Sequence, residues 1–118
     1  MNEICTSLDQ SKKLIELGID VNTADMYWLN AKCDEYLQSL TPYVIDDDLN
    51  LSVDIPAWSL SALMELMNCN CYNVSLNCHG AEWNIKFDDS EKYKDFTKDY
   101  IVDAAFEMVC WLLENKKI

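Results

Sequence analysis

The sequence predicts an α+β fold: a small two-layer sandwich in which an antiparallel sheet of two hairpins packs against about three helices. Three observations carry this. Tyr72, Val74, Leu76 and Cys78 alternate with Asn73, Ser75 and Asn77. After His79-Gly80, Trp83, Ile85 and Phe87 alternate with Glu82, Asn84 and Lys86, so this stretch reads as a hairpin with one face buried. Near the carboxyl end, Val102, Ala105, Phe106, Val109, Cys110 and Leu113 recur at helical spacing. Two shorter apolar stripes, earlier in the chain, each follow a serine suited to capping a helix.

The elements follow in order. Ser7 with Gln10 offers a capping box, and Leu8, Leu14, Ile15 and Leu17 leave Lys12, Lys13 and Glu16 to solvent, which predicts a helix over 7–17. Gly18 ends it, and Ile19 is placed to fold back on the last turn in a Schellman close. The stretch 26–40 supports two readings. Met26, Leu29, Cys33, Tyr36 and Leu40 fit a helix, whereas Met26-Tyr27-Trp28-Leu29 and Glu35-Tyr36-Leu37-Gln38 read as strands around an Ala31-Lys32-Cys33-Asp34 loop. Aromatic content favours the hairpin. Thr41-Pro42 is expected to break either element, and Asp46-Asp47-Asp48-Leu49-Asn50 to form a solvated loop.

Pro56 holds Ile55 extended, and Ser59 caps a helix from Leu60 to about Met67 whose inward stripe is Leu60, Leu63, Met64 and Met67. Trp58 before the cap and Leu63 within the helix have the spacing of a hydrophobic staple. Beyond the second hairpin, Asp88 to Asp99 reads as a charged segment. The last helix then carries a second apolar stripe, Ile101, Ala104, Met108, Trp111 and Leu112, beside the first. A helix this apolar is either central to the fold or shared with a partner. Lys116 and Lys117 suit the negative end of its dipole.

A chain of 118 residues fits one domain, 1–118, with one core. Half of its residues are hydrophobic and four are tryptophan, so the net charge of −12 is not that of a disordered acidic tail. Twenty-one acids against nine bases repel phosphate backbones and anionic lipid. Direct nucleic-acid and membrane binding are therefore not expected. No apolar run approaches the roughly eighteen or more residues of a membrane span, and the amino terminus is read as lacking the basic then apolar order of a signal peptide. The expected location is the cytoplasm. In that compartment Cys5, Cys33, Cys69, Cys71, Cys78 and Cys110 are reduced thiols, and the sequons Asn50-Leu51-Ser52 and Asn73-Val74-Ser75 stay unused.

The residues that could carry chemistry are few. Cys69, Cys71, Cys78 and His79 have zinc-ligand chemistry, but Cys71 and Cys78 on one strand would face opposite sides of a sheet. Cys78 and His79, as neighbours on a strand, diverge instead of pairing as nucleophile and base. Asp46, Asp48 and Asn50 resemble the first ligands of a calcium loop, yet Leu51 stands at the glycine position and Ala57 at that of the closing acid. Pairs such as Asp88 and Asp89, or Glu91 and Asp95, are commonplace in so acidic a chain. With two glycines and one histidine there is no phosphate-cradling loop and no H-E-x-x-H. The reading is a non-enzyme with no cofactor, no metal and no catalytic residue.

The segments Cys5-Thr6-Ser7-Leu8-Asp9-Gln10-Ser11-Lys12-Lys13-Leu14, Ile55-Pro56-Ala57-Trp58-Ser59-Leu60-Ser61-Ala62-Leu63 and Asp103-Ala104-Ala105-Phe106-Glu107-Met108-Val109-Cys110-Trp111-Leu112 resemble those of a family of small uncharacterised proteins from commensal bacteria and their phages or conjugative elements. The resemblance implies an intracellular protein of bacterial or mobile-element origin and transfers no site residue. Where the family pattern has an asparagine-proline before the last helix, this chain has Tyr100-Ile101.

Two functions are expected from these features. The first is an accessory protein that binds a protein partner or a second copy of itself through Met108, Trp111 and Leu112 of the spare stripe together with Trp58. The alternative is an acidic DNA mimic that inhibits a nucleic-acid-binding enzyme, which requires carboxylates arrayed along one surface at about 1.7 Å of axis per charge.

Overall fold

The structure, a computed structural model, describes residues 4–33, 41–45, 49–68, 74–89 and 91–115. It is an α+β fold with helices α1 (Leu8–Glu16), α2 (Leu60–Asn68) and α3 (Ile101–Glu114). Six strands complete it: β1 (Met26–Trp28), β2 (Pro42–Val44), β3 (Ile55–Ala57), β4 (Val74–His79), β5 (Glu82–Asp88) and β6 (Tyr93–Lys98). They form two separate antiparallel sheets, ordered β2-β1-β3 and β4-β5-β6, in place of the single sheet expected from two hairpins.

Local chemistry sets the helix ends as the sequence implied. The Ser7 Oγ accepts from Gln10 N at 3.2 Å while Gln10 Oε1 accepts from Ser7 N at 3.0 Å, closing the capping box of α1. At its other end Ile19 N donates to Leu14 O and Gly18 N to Ile15 O, the paired bonds of a Schellman close, with Gly18 at φ +93°. Ser59 Oγ accepts from Ala62 N at 3.3 Å at the start of α2, and Ser59 is itself held by Asp25, whose carboxylate accepts from its N–H and its hydroxyl. Trp58 and Leu63, the two ends of the expected staple, are both fully buried in one cluster.

The first sheet differs from the hairpin expected at 26–40. The proposed return strand, 35–38, lies outside the described residues. The described partners of β1 are β2, with Tyr27 opposite Tyr43, and β3, with Tyr27 opposite Pro56. Pro42, expected to break the element read at 26–40, opens β2. It can do so because β2 is an outer strand of the described sheet, where a missing N–H interrupts no ladder. Residues 30–33 turn away from β1, with Asn30 at φ +55°.

The second hairpin appears as expected. Cys78 stands opposite Trp83, Leu76 opposite Ile85 and Val74 opposite Phe87. Gly80, at φ +64°, supplies the positive φ that its two-residue turn requires. Strand β6 adds a third member inside the stretch read as a charged segment. Its alternation carries one apolar side chain, Phe96, on the inner face beside Lys94 and Lys98, so no apolar-polar rhythm shows in the sequence.

Helix α3 packs on β5, β6 and α2. Ile85 and Phe87 from the sheet, Leu63 and Met67 from α2, and Val102, Val109, Met108 and Leu112 from α3 share one cluster. The helix is apolar nearly all round because the sheet covers one side and α2 another. A second, smaller cluster of Cys5, Met26, Trp28, Ala31, Ile55 and Ala57 lies under the first sheet. Lys116 and Lys117 lie outside the described residues. Among the described residues, no helix is long and apolar enough to cross a membrane.

Candidate functional site

Burial overturns the interface expected from the sequence. Met108 and Leu112 on α3, and Trp58 before α2, are fully buried within the chain. Trp111 is partly buried and packs on Phe87, with ring centroids 5.5 Å apart and the planes tilted by 52°. Most of the second stripe of α3, Ala104, Met108 and Leu112, is thus buried in the protein's own core, and Ile101 and Trp111 are partly buried. Sequence spacing separates the two stripes but carries no information on whether both find partners in one chain.

Of the other candidates, several lie outside the described residues. Cys78 is exposed on β4, its Sγ 3.4 Å from Gly80 O, and His79 follows it on the same strand. Cys69 and Cys71 lie outside the described residues, as do Asp46 to Asp48. Asn50 closes a local turn, its Oδ1 accepting from Ser52 N and Oγ. Among the described residues no group of three or more His, Cys, Asp or Glu side chains is gathered so as to hold a metal. Cys110 is buried on α3, and desolvation, reinforced by the charges of Glu107 and Glu114, pushes its thiol up to about 12. Such a thiol is no nucleophile near neutral pH.

What the fold does build is an open cleft of about 270 Å³ at the junction of the second sheet and α3, lined by Trp83, Asp99, Tyr100 and Ile101. Strand β5 sets Trp83 opposite Cys78 on one side and Lys98 on the other, so its indole lies on the inner face near the end of the sheet. Strand β6 ends at Lys98, and Asp99 and Tyr100 make the whole connection to α3. Tyr100 is extended, at φ −119° and ψ +133°, and occupies the N-cap of α3 without a side-chain cap bond. Tyrosine contributes little at a cap, so its ring is left to the cleft wall. Trp83, Tyr100 and Ile101 are partly buried, and Asp99 is exposed.

The helix end is anchored from elsewhere. Asp103 in the first turn of α3 suits the positive end of the dipole. Its Oδ1 accepts from Gln10 Nε2 at 2.9 Å. Gln10 also closes the capping box of α1, so one amide ties the two helix starts together. At the far end of α3, Lys92 Nζ donates to Asn115 Oδ1 at 2.7 Å.

The opposite face of the sheet is polar. Asn84, 6% exposed, donates through Nδ2 to Thr97 Oγ1 and Phe96 O, and its Oδ1 is buried with no partner among the described residues. On the same face the hydroxyl of Tyr93 donates to Asp95 Oδ2 at 3.0 Å, which holds the phenol above its ordinary pKa.

The sequence reading missed the cleft because it missed β6. Without that strand, Asp99-Tyr100 belonged to a charged run, and nothing put it beside a tryptophan 17 positions earlier. Trp83 was the available signal, as an aromatic one residue inside a strand that follows a tight turn.

Fold and cleft together define the chain as an α+β protein with an aromatic, acid-rimmed surface cleft. Comparison with known proteins found no matching family model, no matching curated sequence and no matching solved structure.

Proposed function

We propose that this protein is a non-enzymatic accessory module of the bacterial cytoplasm that works by docking on another protein through the cleft at the β6–α3 junction. The observation that carries this reading is the pairing of Trp83 and Tyr100 around an open cleft. Partly exposed aromatic side chains of this kind supply most of the binding energy at protein interfaces, because each buries a large area at little entropic cost. The spare stripe of α3 no longer supports docking, so the reading rests on the cleft.

A DNA mimic would also use the net charge of −12, but its carboxylates must line one surface. Here Glu82, Asp88 and Asp95 stand on the sheet face turned away from α3, while Glu65 is exposed on α2 and Glu114 on α3. That spread over opposite sides favours protein docking.

The test is affinity capture from the cells that make the protein, using the wild-type chain and the Trp83→Ala and Tyr100→Ala variants as bait. A partner held by the wild type and lost from both variants supports the reading. A partner retained equally by all three baits removes the cleft as the docking site.

A further inference from the structure

Resting on that reading, we propose that the cleft at Trp83, Asp99 and Tyr100 accepts a cationic side chain of the partner, an arginine in an otherwise uncharged loop or tail. Two aromatic rings beside one carboxylate form the donor set that suits a guanidinium. Both rings and the carboxylate line the cleft, and a planar cation is attracted to aromatic faces while a carboxylate takes guanidinium N–H groups in a fork. Asp99 is exposed at the rim, so it can meet an incoming ligand without a cost for burying its charge beforehand.

Charges of both signs surround the cleft. Lys98 stands opposite Trp83 and is exposed, and the amino end of α3 contributes a partial positive charge. Against them stand Asp99 and Asp103, the second of which sits in the first turn of α3 and offsets the helix end directly. Farther out, twelve net negative charges on the chain favour a cation over an anion at any surface site. The sheet itself already seats one cation on a ring, with Lys94 Nζ 5.0 Å from the centroid of Phe96. An anion in the cleft would meet Asp99 and the chain's field, and a purely apolar side chain would leave the Asp99 carboxylate unused.

The experiment is titration of the isotope-labelled full chain with two blocked peptides. One alternates glycine and arginine, and the other carries citrulline, the neutral isostere of arginine, at the same positions. The indole N–H resonance of Trp83, assigned by its loss in Trp83→Phe, is the readout. The arginine peptide is expected to shift that resonance more than the other three indoles, the citrulline peptide to leave it in place, and Asp99→Asn to weaken the arginine peptide by roughly threefold to tenfold. Asp99 is exposed, so its replacement leaves the fold intact. Equal shifts from both peptides, or an Asp99→Asn chain that binds as well as wild type, overturn the cation proposal while leaving an aromatic docking cleft in place. Shifts spread over acidic positions with Trp83 unmoved also overturn it, because the peptide then adsorbs to the chain's general charge.

Discussion

Thr6 and Trp58 are hydrogen-bonded to each other twice, Thr6 N to Trp58 O at 2.8 Å and Trp58 N to Thr6 Oγ1 at 3.0 Å, across 52 positions of sequence. The same threonine takes Trp28 Nε1 on its carbonyl at 3.0 Å, and its hydroxyl meets Ser11 Oγ at 2.8 Å. Thr6 is fully buried, and the pair stands where the two apolar clusters meet, since Trp58 belongs to one and Cys5 to the other. Water cannot reach these groups, so each bond removed leaves a donor or acceptor bare.

Thr6→Val keeps the side-chain volume and removes the hydroxyl, stranding Trp58 N–H and the Ser11 hydroxyl. Stability to urea is expected to fall by about 2–3 kcal/mol. Adding Ser11→Ala to Thr6→Val should restore part of that loss, because one of the two stranded groups is then gone. A double variant no more stable than Thr6→Val alone would contradict this account.

Met108 and Leu112 are core residues of α3. Met108→Ala and Leu112→Ala should each lower the unfolding free energy by about 2–5 kcal/mol, measured by denaturant titration. Losses under about 0.5 kcal/mol, the range of surface substitutions, would return both residues to the surface.

Cys110 gives a pH dependence whose sign follows from its raised thiol. The unfolded chain ionises this group near 9.0, the folded chain only at about 12. The stability it contributes is therefore fully present below pH 9 and is lost as pH rises toward 12. The stability gap between wild type and Cys110→Ala should narrow across that window. In the same protein at pH 8, alkylation followed by peptide mass spectrometry should find Cys78 modified and Cys110 intact. Early labelling of Cys110 would argue against its burial.

Gly18 closes α1 at φ +93°, with open space where a Cβ would lie. Gly18→Ala is thus a test of backbone strain alone and should cost about 1–2 kcal/mol. Thermal unfolding measures it, and an unchanged midpoint would show that the helix can close without a left-handed residue.

Features governed by near neighbours could be read from the chain. The capping box of Ser7 and Gln10, the Gly18-Ile19 close, Ser59 at the head of α2 and the β4–β5 turn at Gly80 each depend on residues within about six positions, so composition and spacing suffice to place them. Strand β6 escaped because an outer strand needs only one apolar face, and Phe96 alone does not make a rhythm. The pairing of β1 escaped for a related reason. Three-residue strands carry too little pattern to name their partners, and Tyr27 stands opposite segments that start 15 and 28 positions later.

Sequence by itself determined the α+β class, the helix ends, the second hairpin and the acidic charge, since all of these follow from local bonding or from simple sums. Only the tertiary structure decided that both stripes of α3 are used within the chain and that Trp83 meets Asp99 and Tyr100 around one cleft. Side-chain period shows which residues share a face. What covers that face depends on how distant elements pack, and for α3 the sheet and α2 settle it together.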